Sequence, residues 1–484
     1  MDSFILAPQK WAEANFGGCD FGDKRLTDRL IAYAESVTVR PDESTPHQTQ
    51  GWKNCKAVYR FVSNKKVSYK EILRPHCERT RVRADSGVWL SICDTTELSF
   101  SLKRRISGLK PVGDGLGQGF FLHSSLLVSD ATGEIAGLAA QELFYRIKAP
   151  KGEGSIQRKK RKRESEVWGR VVDQVGSPQP GARIIHICDR AADDYEFFCH
   201  TKLAQAGWIA RAQHKHRFIH RADDLQSNSP NSAEKMPLLD LLNTLPVVGV
   251  YDLTVKANKK QVARTAHVEI SCANIWMPRP TAVSKWVKKN GPQWILMGVV
   301  QAREIKPPRG QEPLHWILYT DEPMQTFEDC WRALGRYEKR PIIEDYHKAA
   351  KTGAQIENRL YRKNERLERI VGVLAVTATR ILQMRTIGRI DPERPARKVV
   401  PKKWLTCLCV IHRVQHPKAR HRWNPRTLTI REFMRGIAML GGFLARKCDG
   451  EPGWITIWRG VKELLIILRA RRRKKKHANA STCG

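Results

Sequence analysis

The sequence predicts a mixed α/β fold with a helical segment before it and another after it. Three observations carry this expectation. From Gly87 onward, apolar runs and helical patterns alternate in the order strand, strand, strand, helix, strand, helix, strand. Residues 1–78, and the chain after Trp316, instead space their apolar positions for helices. Between 215 and 312 Pro, Thr and Val become frequent, and VYDLTVKA, AHVEIS and WILMGVVQAREI read as strands of a β-rich insertion.

In the N-terminal segment, WKNCKAVYRFVSNKKVSYKEIL places Trp52, Ala57, Tyr59 and Phe61 at helical spacing, and the pattern breaks at Ser63 and Asn64. Ser68 and Glu71 then form an S-x-x-E capping box that starts another helix. Short helices, a tight turn and many Lys and Arg suit a DNA-binding module; an ordinary bundle with a solvated basic face shares the pattern. The first part of the core, residues 79–214, opens with GVWLSICD, GFFLHSSLLVSD and EIAGLAAQELFYRI, three antiparallel strands with a turn at Asp130 to Gly133. The run Arg158 to Arg163 reads as a solvated loop, with DNA contact as the alternative. A helix over Glu164 to Val175 follows, then GARIIHICDR as a strand buried on both faces, a helix, and the strand WIARAQ.

After the insertion the core resumes over 313–372. LERIVGVLAVTATRILQM is a buried helix, apolar at 367, 370, 371, 374, 378 and 381. The segment 373–484 is helical and basic, with Thr429 and Glu432 capping IREFMRGIAMLGGFLARK. RARRRKKKH at its end reads as a frayed tail adding non-specific DNA affinity.

Composition narrows the partners. Lys and Arg total 85 against 49 Asp and Glu, a net charge of +36. A field that strong calls for an anionic partner, and a polyphosphate backbone is the obvious one. Hydrophobic residues at 41% exclude a disordered chain. The 12 cysteines form no CxxC pair and read as reduced thiols of a cytosolic compartment. MDSFILAPQKW lacks a signal peptide's basic start, and no apolar run reaches the roughly 18 residues of a membrane span, so no membrane partner is expected.

Asp94 in SICDTT and Asp189 in HICDRAADD directly follow apolar strands. A strand end is a rigid mount facing the cleft beyond the sheet. Two carboxylates held so can bind Mg²⁺, and a third would complete a two-metal site for phosphoryl transfer. Each Asp can equally be a turn former or a helix N-cap. Glu344, in RPIIEDYHKAAKTG, is the candidate third acid. At about 100° per residue, Tyr337, Arg340, Glu344, His347, Lys348 and Lys351 share one helical sector. One acid among so many bases suits a metal ligand flanked by phosphate grips. The alternative is a solvated face with i,i+4 pairs Arg340–Glu344 and Glu344–Lys348. Pro341 is tolerated only in a first helical turn and pushes Arg340 out of the α region. The helix is therefore expected to begin at Pro341, with Tyr337 and Arg340 reaching in from before it. Cys407, Cys409, His412 and His416 form C-x-C-x2-H-x3-H, read either as a zinc site or as buried thiols beside phosphate-binding histidines.

The spacing Tyr337-x2-Arg340-x3-Glu344-x6-Lys351 resembles the Y-R-E-K signature of the insertion-sequence-four family of DDE transposases. CDTTELSF and CDRAADDY are similar to that family's first and second acid segments, and WILYTDEP to its W-x-L-x-T-x-E-P segment. EDYHKAAKTG, IAMLGGFLARKCDG and WAEANFGGCDFGDKRLTDRL also fit, in the right order over nearly the whole chain; Pro341 departs from the usual Trp.

The resemblance implies a ribonuclease H-like catalytic core with the β-rich insertion. It is flanked by an N-terminal helical DNA-binding domain and a C-terminal helical dimerisation and DNA-contact domain. Asp94, Asp189 and Glu344 would be catalytic and hold two Mg²⁺ ions, with Mn²⁺ able to substitute. Tyr337, Arg340 and Lys351 would hold phosphates, with His347 and Lys348 on the same DNA-binding face, and Arg211 would contact DNA. Trp316 would stack a flipped base, where its own sequence context equally allows a core tryptophan. The implied activity is cut-and-paste transposition. Double-stranded transposon ends are bound and cut through a hairpin, and the 3′ ends are joined to target DNA, by a homodimer in a synaptic complex in the bacterial cytoplasm at the nucleoid. A catalytically silent transposon-derived DNA-binding protein, or a ribonuclease H-like nuclease without strand transfer, would carry many of the same residues.

Overall fold

The computed structural model describes residues 7–481 except 104, 148, 149, 151, 155, 156, 158–162, 223, 224, 228, 231–233, 256, 258–261, 418–421 and 447, with side chains as far as 470. The basic run at 158–163 thus lies, apart from Arg163, outside the described residues.

The N-terminal segment is helical: α1 (Pro8–Phe16), α2 (Lys24–Val39), α3 (Thr45–Thr49), α4 (Trp52–Ser63) and α5 (Tyr69–Val82). Helix α4 ends at Ser63 with Asn64 as its C-cap, and the Ser68 hydroxyl accepts the Glu71 N–H at 3.1 Å to start α5. The expected return bond from Glu71 is not made. Its carboxylate instead accepts from the Asp20 N–H and from Arg74, so it ties α5 to the loop after α1. Trp52 does not belong to the inward stripe of α4 and is 74% exposed. The buried stripe is Cys55, Val58, Phe61 and Val62, and Trp52 sits about 110° round the helix from its centre.

Helix α5 runs past residue 78 and packs on the core sheet. The contact is close because Gly137 stands in the facing strand at φ +149°; a β-carbon there would lie 2.5 Å from Thr80 Oγ1. Beside it His76 is fully buried, with Nδ1 at 2.6 Å from Asn15 Oδ1 and Nε2 accepting the Leu138 N–H at 3.1 Å. One imidazole therefore joins α1, α5 and the sheet.

The core begins with β1 (Gly87–Phe100), β2 (Lys110–Val112), β3 (Gly117–Ser129) and β4 (Ile135–Phe144). Then come α6 (Val167–Val175), β5 (Ala182–Cys188), α7 (Tyr195–Leu203) and β6 (Gly207–Arg211). Strand β3 pairs antiparallel with β4 and β1, and β1, β5 and β6 run parallel, giving the order β4-β3-β1-β5-β6. That order and the β-β-β-α-β-α-β succession agree with the ribonuclease H-like expectation. Alternate residues face opposite layers. Leu90, Ile92 and Leu126 join the core shared with α5, and Cys93, Leu127 and Ile184 join the core shared with α6 and α7.

Strand β1 is longer than its apolar run. It was expected to end at Asp94 and continues six residues to Phe100, because β3 pairs with it throughout. Its pairing with β5, however, stops at Ile92↔Ile187.

The insertion comprises β7 (Phe218–Arg221), β8 (Met236–Pro237), α8 (Leu238–Thr244), β9 (Gly249–Val255), β10 (Arg264–Pro278), α9 (Lys285–Asn290) and β11 (Trp294–Ile305). It extends the core sheet: β12 (His315–Thr320) pairs with β11 on one side and β6 on the other, giving one sheet of 12 strands among the described residues.

The chain closes with α10 (Phe327–Tyr337), α11 (Pro341–Lys348), α12 (Asn364–Ile390), α13 (Lys402–Gln415), α14 (Ile430–Leu440) and α15 (Trp454–Ser481). Helix α12 is long and apolar enough to cross a membrane, yet 89% of its apolar window is buried within the protein, so it serves as a core helix. It runs unbroken through the division drawn at 372/373 and feeds both the main core and the C-terminal one. Thr429 and Glu432 form both halves of the expected capping box. Helices α14 and α15 touch backbone to backbone at Gly460, where a β-carbon would lie 1.6 Å from the Ile437 carbonyl oxygen. The basic end is not frayed in its backbone, which stays helical to Ser481.

Burial pushes the His76 imidazole down to about 3 from 6.5. The unfolded chain therefore binds the extra proton between those values, and the stabilisation, complete above pH 6.5, is lost as pH falls toward 3. This one site contributes a slope of up to about 1.4 kcal/mol per pH unit. His76→Gln, which can keep both polar contacts, is expected to make urea denaturation midpoints measured from pH 6 to pH 4 less pH-dependent.

Candidate active site

Two residues beyond the last β1–β5 pair, Asp94 and Asp189 stand side by side past the parallel ladder. This is the carboxyl edge of parallel strands, where α/β sheets open a crevice. Each acid spends one oxygen on backbone: Asp94 Oδ1 accepts the Thr95 N–H at 2.8 Å, and Asp189 Oδ1 accepts the Ala191 N–H at 2.9 Å. Asp189 is thus also the N-cap of a 3₁₀ turn, Arg190–Ala192. Cap and site are compatible, since each carboxylate keeps a second oxygen free.

Those second oxygens converge on one guanidinium. Arg340 Nη2 lies 3.3 Å from Asp94 Oδ2 and 3.8 Å from Asp189 Oδ2, while Nη1 lies 2.6 Å from Glu344 Oε1. The three candidate acids therefore surround a single positive charge. Their side chains are 15%, 33% and 59% exposed, a gradient from the sheet out to the rim. Burial pushes the Asp94 carboxyl up to about 6; Arg340 opposes that rise and Asp189 adds to it.

Helix α11 begins at Pro341 as expected, but Arg340 is not expelled from the α region, lying at φ −52° and ψ −39°. Its N–H donates to the Tyr337 carbonyl, and its own carbonyl accepts from Ile343, so a turn links α10 to α11. Pro341 sits where no N–H is needed, and the bonds of Arg340 to the acids outweigh a local preference.

The basic face is only partly as expected. Lys348 is exposed, and Lys351 lies on a π-helical turn, Ala349–Gly353, with Nζ 3.8 Å from Glu357 Oε1. Glu357 also accepts the Ser99 N–H, tying this turn to the far end of β1. His347 departs from the face: it is 8% exposed, its Nε2 has no partner, and burial followed by Lys351 pushes it down to about 3. A neutral, buried imidazole is no cationic phosphate grip. The inward stripe of α11 is Ile343, Tyr346 and His347, and helical spacing carries His347 in with it.

Tyr337 ends α10 beside Arg340 and Arg211, and burial pushes its hydroxyl up. Arg211 ends β6 and donates to the His315 carbonyl at 3.1 Å, next to Trp316. Trp316 is half-buried and packs against the main core, which is the structural alternative for it. Glu357 and Asp193 were not singled out by sequence. The only signal for Asp193 was the further acid pair in CDRAADDY.

Among the described residues, no three Asp, Glu, His or Cys side chains are already drawn together closely enough to hold a metal. The donor chemistry of Asp94, Asp189 and Glu344 nonetheless fits a hard divalent cation. All three offer carboxylate oxygen, and all three already face one cation. Arg340 Nε is buried without a partner, so this guanidinium is not fully satisfied where it lies. Among the described residues, the members of the C-x-C-x2-H-x3-H cluster are not gathered into a metal-holding group. Cys407 and Cys409 turn into the C-terminal core, and the His412 ring stacks on Trp423 at 3.8 Å.

Residues 8–67, spanning α1 to α4, match the family model for transposase DNA-binding. Residues 376–481, from within α12 through α15, match that for the transposase Tn5 dimerisation domain.

Because the Asp94 carboxyl is held above its ordinary 3.8, the folded state binds the extra proton between 3.8 and about 6, and stability falls as pH rises through that window. Removing the opposing guanidinium raises it further. Arg340→Gln is expected to cost about 1–3 kcal/mol at pH 8 and distinctly less at pH 5, measured by urea denaturation.

Proposed function

We propose that this Tn5-like transposase is a cut-and-paste enzyme. It binds the inverted repeats at its element's ends, cleaves them by metal-dependent phosphoryl transfer through a hairpin, and joins the freed 3′ ends to target DNA. DNA binding and dimerisation rest on the two terminal domains. The chemistry rests on one observation: Asp94, Asp189 and Glu344 converge on a shared cation at the carboxyl edge of β1 and β5.

In this reading the three acids hold two Mg²⁺ or Mn²⁺ ions. When bound, such ions activate an oxygen nucleophile and neutralise charge on the transferring phosphoryl group. Arg340 would turn its planar fork from the acids to a phosphate, for which its unpartnered Nε is suited. Tyr337 and Arg211, which neighbour Arg340, and Lys348 and Lys351, which follow Glu344 in the chain, would add further donors. Water first attacks the phosphorus at the element's end and leaves a 3′-hydroxyl. That hydroxyl attacks the opposite strand, forming the hairpin and releasing the flanking DNA. Water reopens the hairpin, and the 3′-hydroxyl then attacks target DNA. Each step is an in-line displacement in which one oxygen attacks and another leaves, so one cluster of acids serves all four. A tight hairpin needs an unstacked base, and the indole of Trp316, on the strand beside Arg211, offers it a flat partner. A dimer supplies one active site for each of two ends.

Incubating the protein with a duplex carrying its own element's end and Mg²⁺ is expected to yield hairpin-ended products. Linear nicked products alone would identify a nuclease without strand transfer. Asp94→Ala, Asp189→Ala and Glu344→Ala are each expected to slow cleavage by about a thousandfold or more, while end binding in gel shifts stays within about twofold. Normal cutting by Glu344→Ala would sink the assignment.

A further inference from the structure

We propose that Asp193 is a positioning residue that locks the turn carrying Asp189 to the chain exit carrying Arg211. Its consequence for cleavage rests on the transposase reading; the lock itself does not. The Asp193 side chain is 0% exposed, unlike a surface turn former. Its Oδ2 accepts the N–H groups of Gln213 at 2.7 Å and His214 at 3.0 Å. Its Oδ1 lies 2.6 Å from Arg217 Nη1, and Arg217 Nη2 donates to the Asp193 carbonyl at 3.2 Å. The Asp193 N–H donates to the Arg190 carbonyl, closing the turn that Asp189 caps.

Neighbouring acids behave differently. Asp189 and Asp194 each accept an N–H two residues ahead, as local caps do. Asp193 reaches 20 residues ahead. The reason to do so lies in the sheet. Strands β5 and β6 pair in parallel only as far as Cys188↔Ala210. Beyond that pair no ladder bond sets the spacing between Asp189 and Arg211, which are the next residues on the two strands. The buried Asp193 carboxylate supplies that constraint across the gap. It thereby sets the distance between an acid of the cation site and a donor for phosphate. Residues behind a metal ligand commonly act in this way.

The test uses the full chain. Asp193→Ala removes both backbone bonds. The double variant Asp193→Asn with Arg217→Met keeps an oxygen for the two N–H groups and removes the guanidinium that would face the new amide. Hydrogen exchange read by mass spectrometry is expected to rise about tenfold in Asp193→Ala, in 189–193 and 211–214 together, and to return close to the original in the double variant. On end duplex, Asp193→Ala is expected to lose about tenfold in cleavage rate at saturating DNA and to need about tenfold more Mn²⁺ for half-maximal rate, with end affinity unchanged; the double variant recovers both. Exchange that rises in one segment or neither overturns the proposal. So does a loss of cleavage matching the unfolded fraction with the Mn²⁺ dependence unmoved. If the unsubstituted chain does not cleave at all, the transposase reading fails, while the exchange result still decides the lock.

Discussion

The early end of the β1–β5 ladder is the constraint on which the site depends. Parallel strands in mid-sheet are held by hydrogen bonds on both sides and by helices on both faces, so their ends are among the stiffest points in the molecule. Stopping the ladder at Ile92↔Ile187 exposes two carboxylates side by side without loosening either strand. β1 remains anchored to β3 as far as Phe100, and Asp189 is pinned as a cap. Two like charges so placed repel, and Arg340 is what the fold sets between them. Its guanidinium and the burial of Asp94 pull in opposite directions on the same carboxyl. Such opposition leaves the carboxyl sensitive to whatever cation stands beside it, as the proposed reading needs.

Much of this was legible in the sequence, for identifiable reasons. Apolar runs of strand length ending in acids predicted β1 and β5, and the capping residues Ser68 and Thr429 act where local chemistry places them. What could not be read was decided by partners distant in the chain. β1 outruns its apolar run because β3 pairs with it. Trp52 and His347 exchange their expected roles because helix faces are chosen by what packs against them; one is exposed, the other buried. Arg340 keeps an α conformation before proline within a hydrogen-bonded turn, its side chain held by Glu344 and by the distant Asp94. In each case a local rule was sound and a tertiary contact outweighed it.

The same long-range bonding makes the terminal domains continuous with the core. Arg359 is buried and donates to the carbonyls of Pro41, Glu43 and Ala354, joining the loop after α2 to the segment that follows α11. The carboxylate of Glu43 accepts from Lys462 of α15 at 2.9 Å. Helix α12 carries a fully buried Arg380, which donates to the Thr38 carbonyl and lies over the Trp11 ring. Burial pushes that guanidinium down, and its side chain is closed off from solvent.

A dry, hydrogen-bonded junction of this kind transmits load where a flexible linker would absorb it. The helices that match a DNA-binding domain and those that match a dimerisation domain pack on α12 or on its neighbours, and the elements carrying the acids send Ile92, Ile187 and Ile343 into the same core. Whatever engages α1 to α4 therefore acts on the same packed core that mounts Asp94, Asp189 and Glu344. Joining two DNA ends requires two sites held in fixed relation to each other. In the proposed reading, outer domains packed on one core helix beside the elements that carry the acids would meet that requirement within each protomer, and the contact between protomers would set the geometry of the pair.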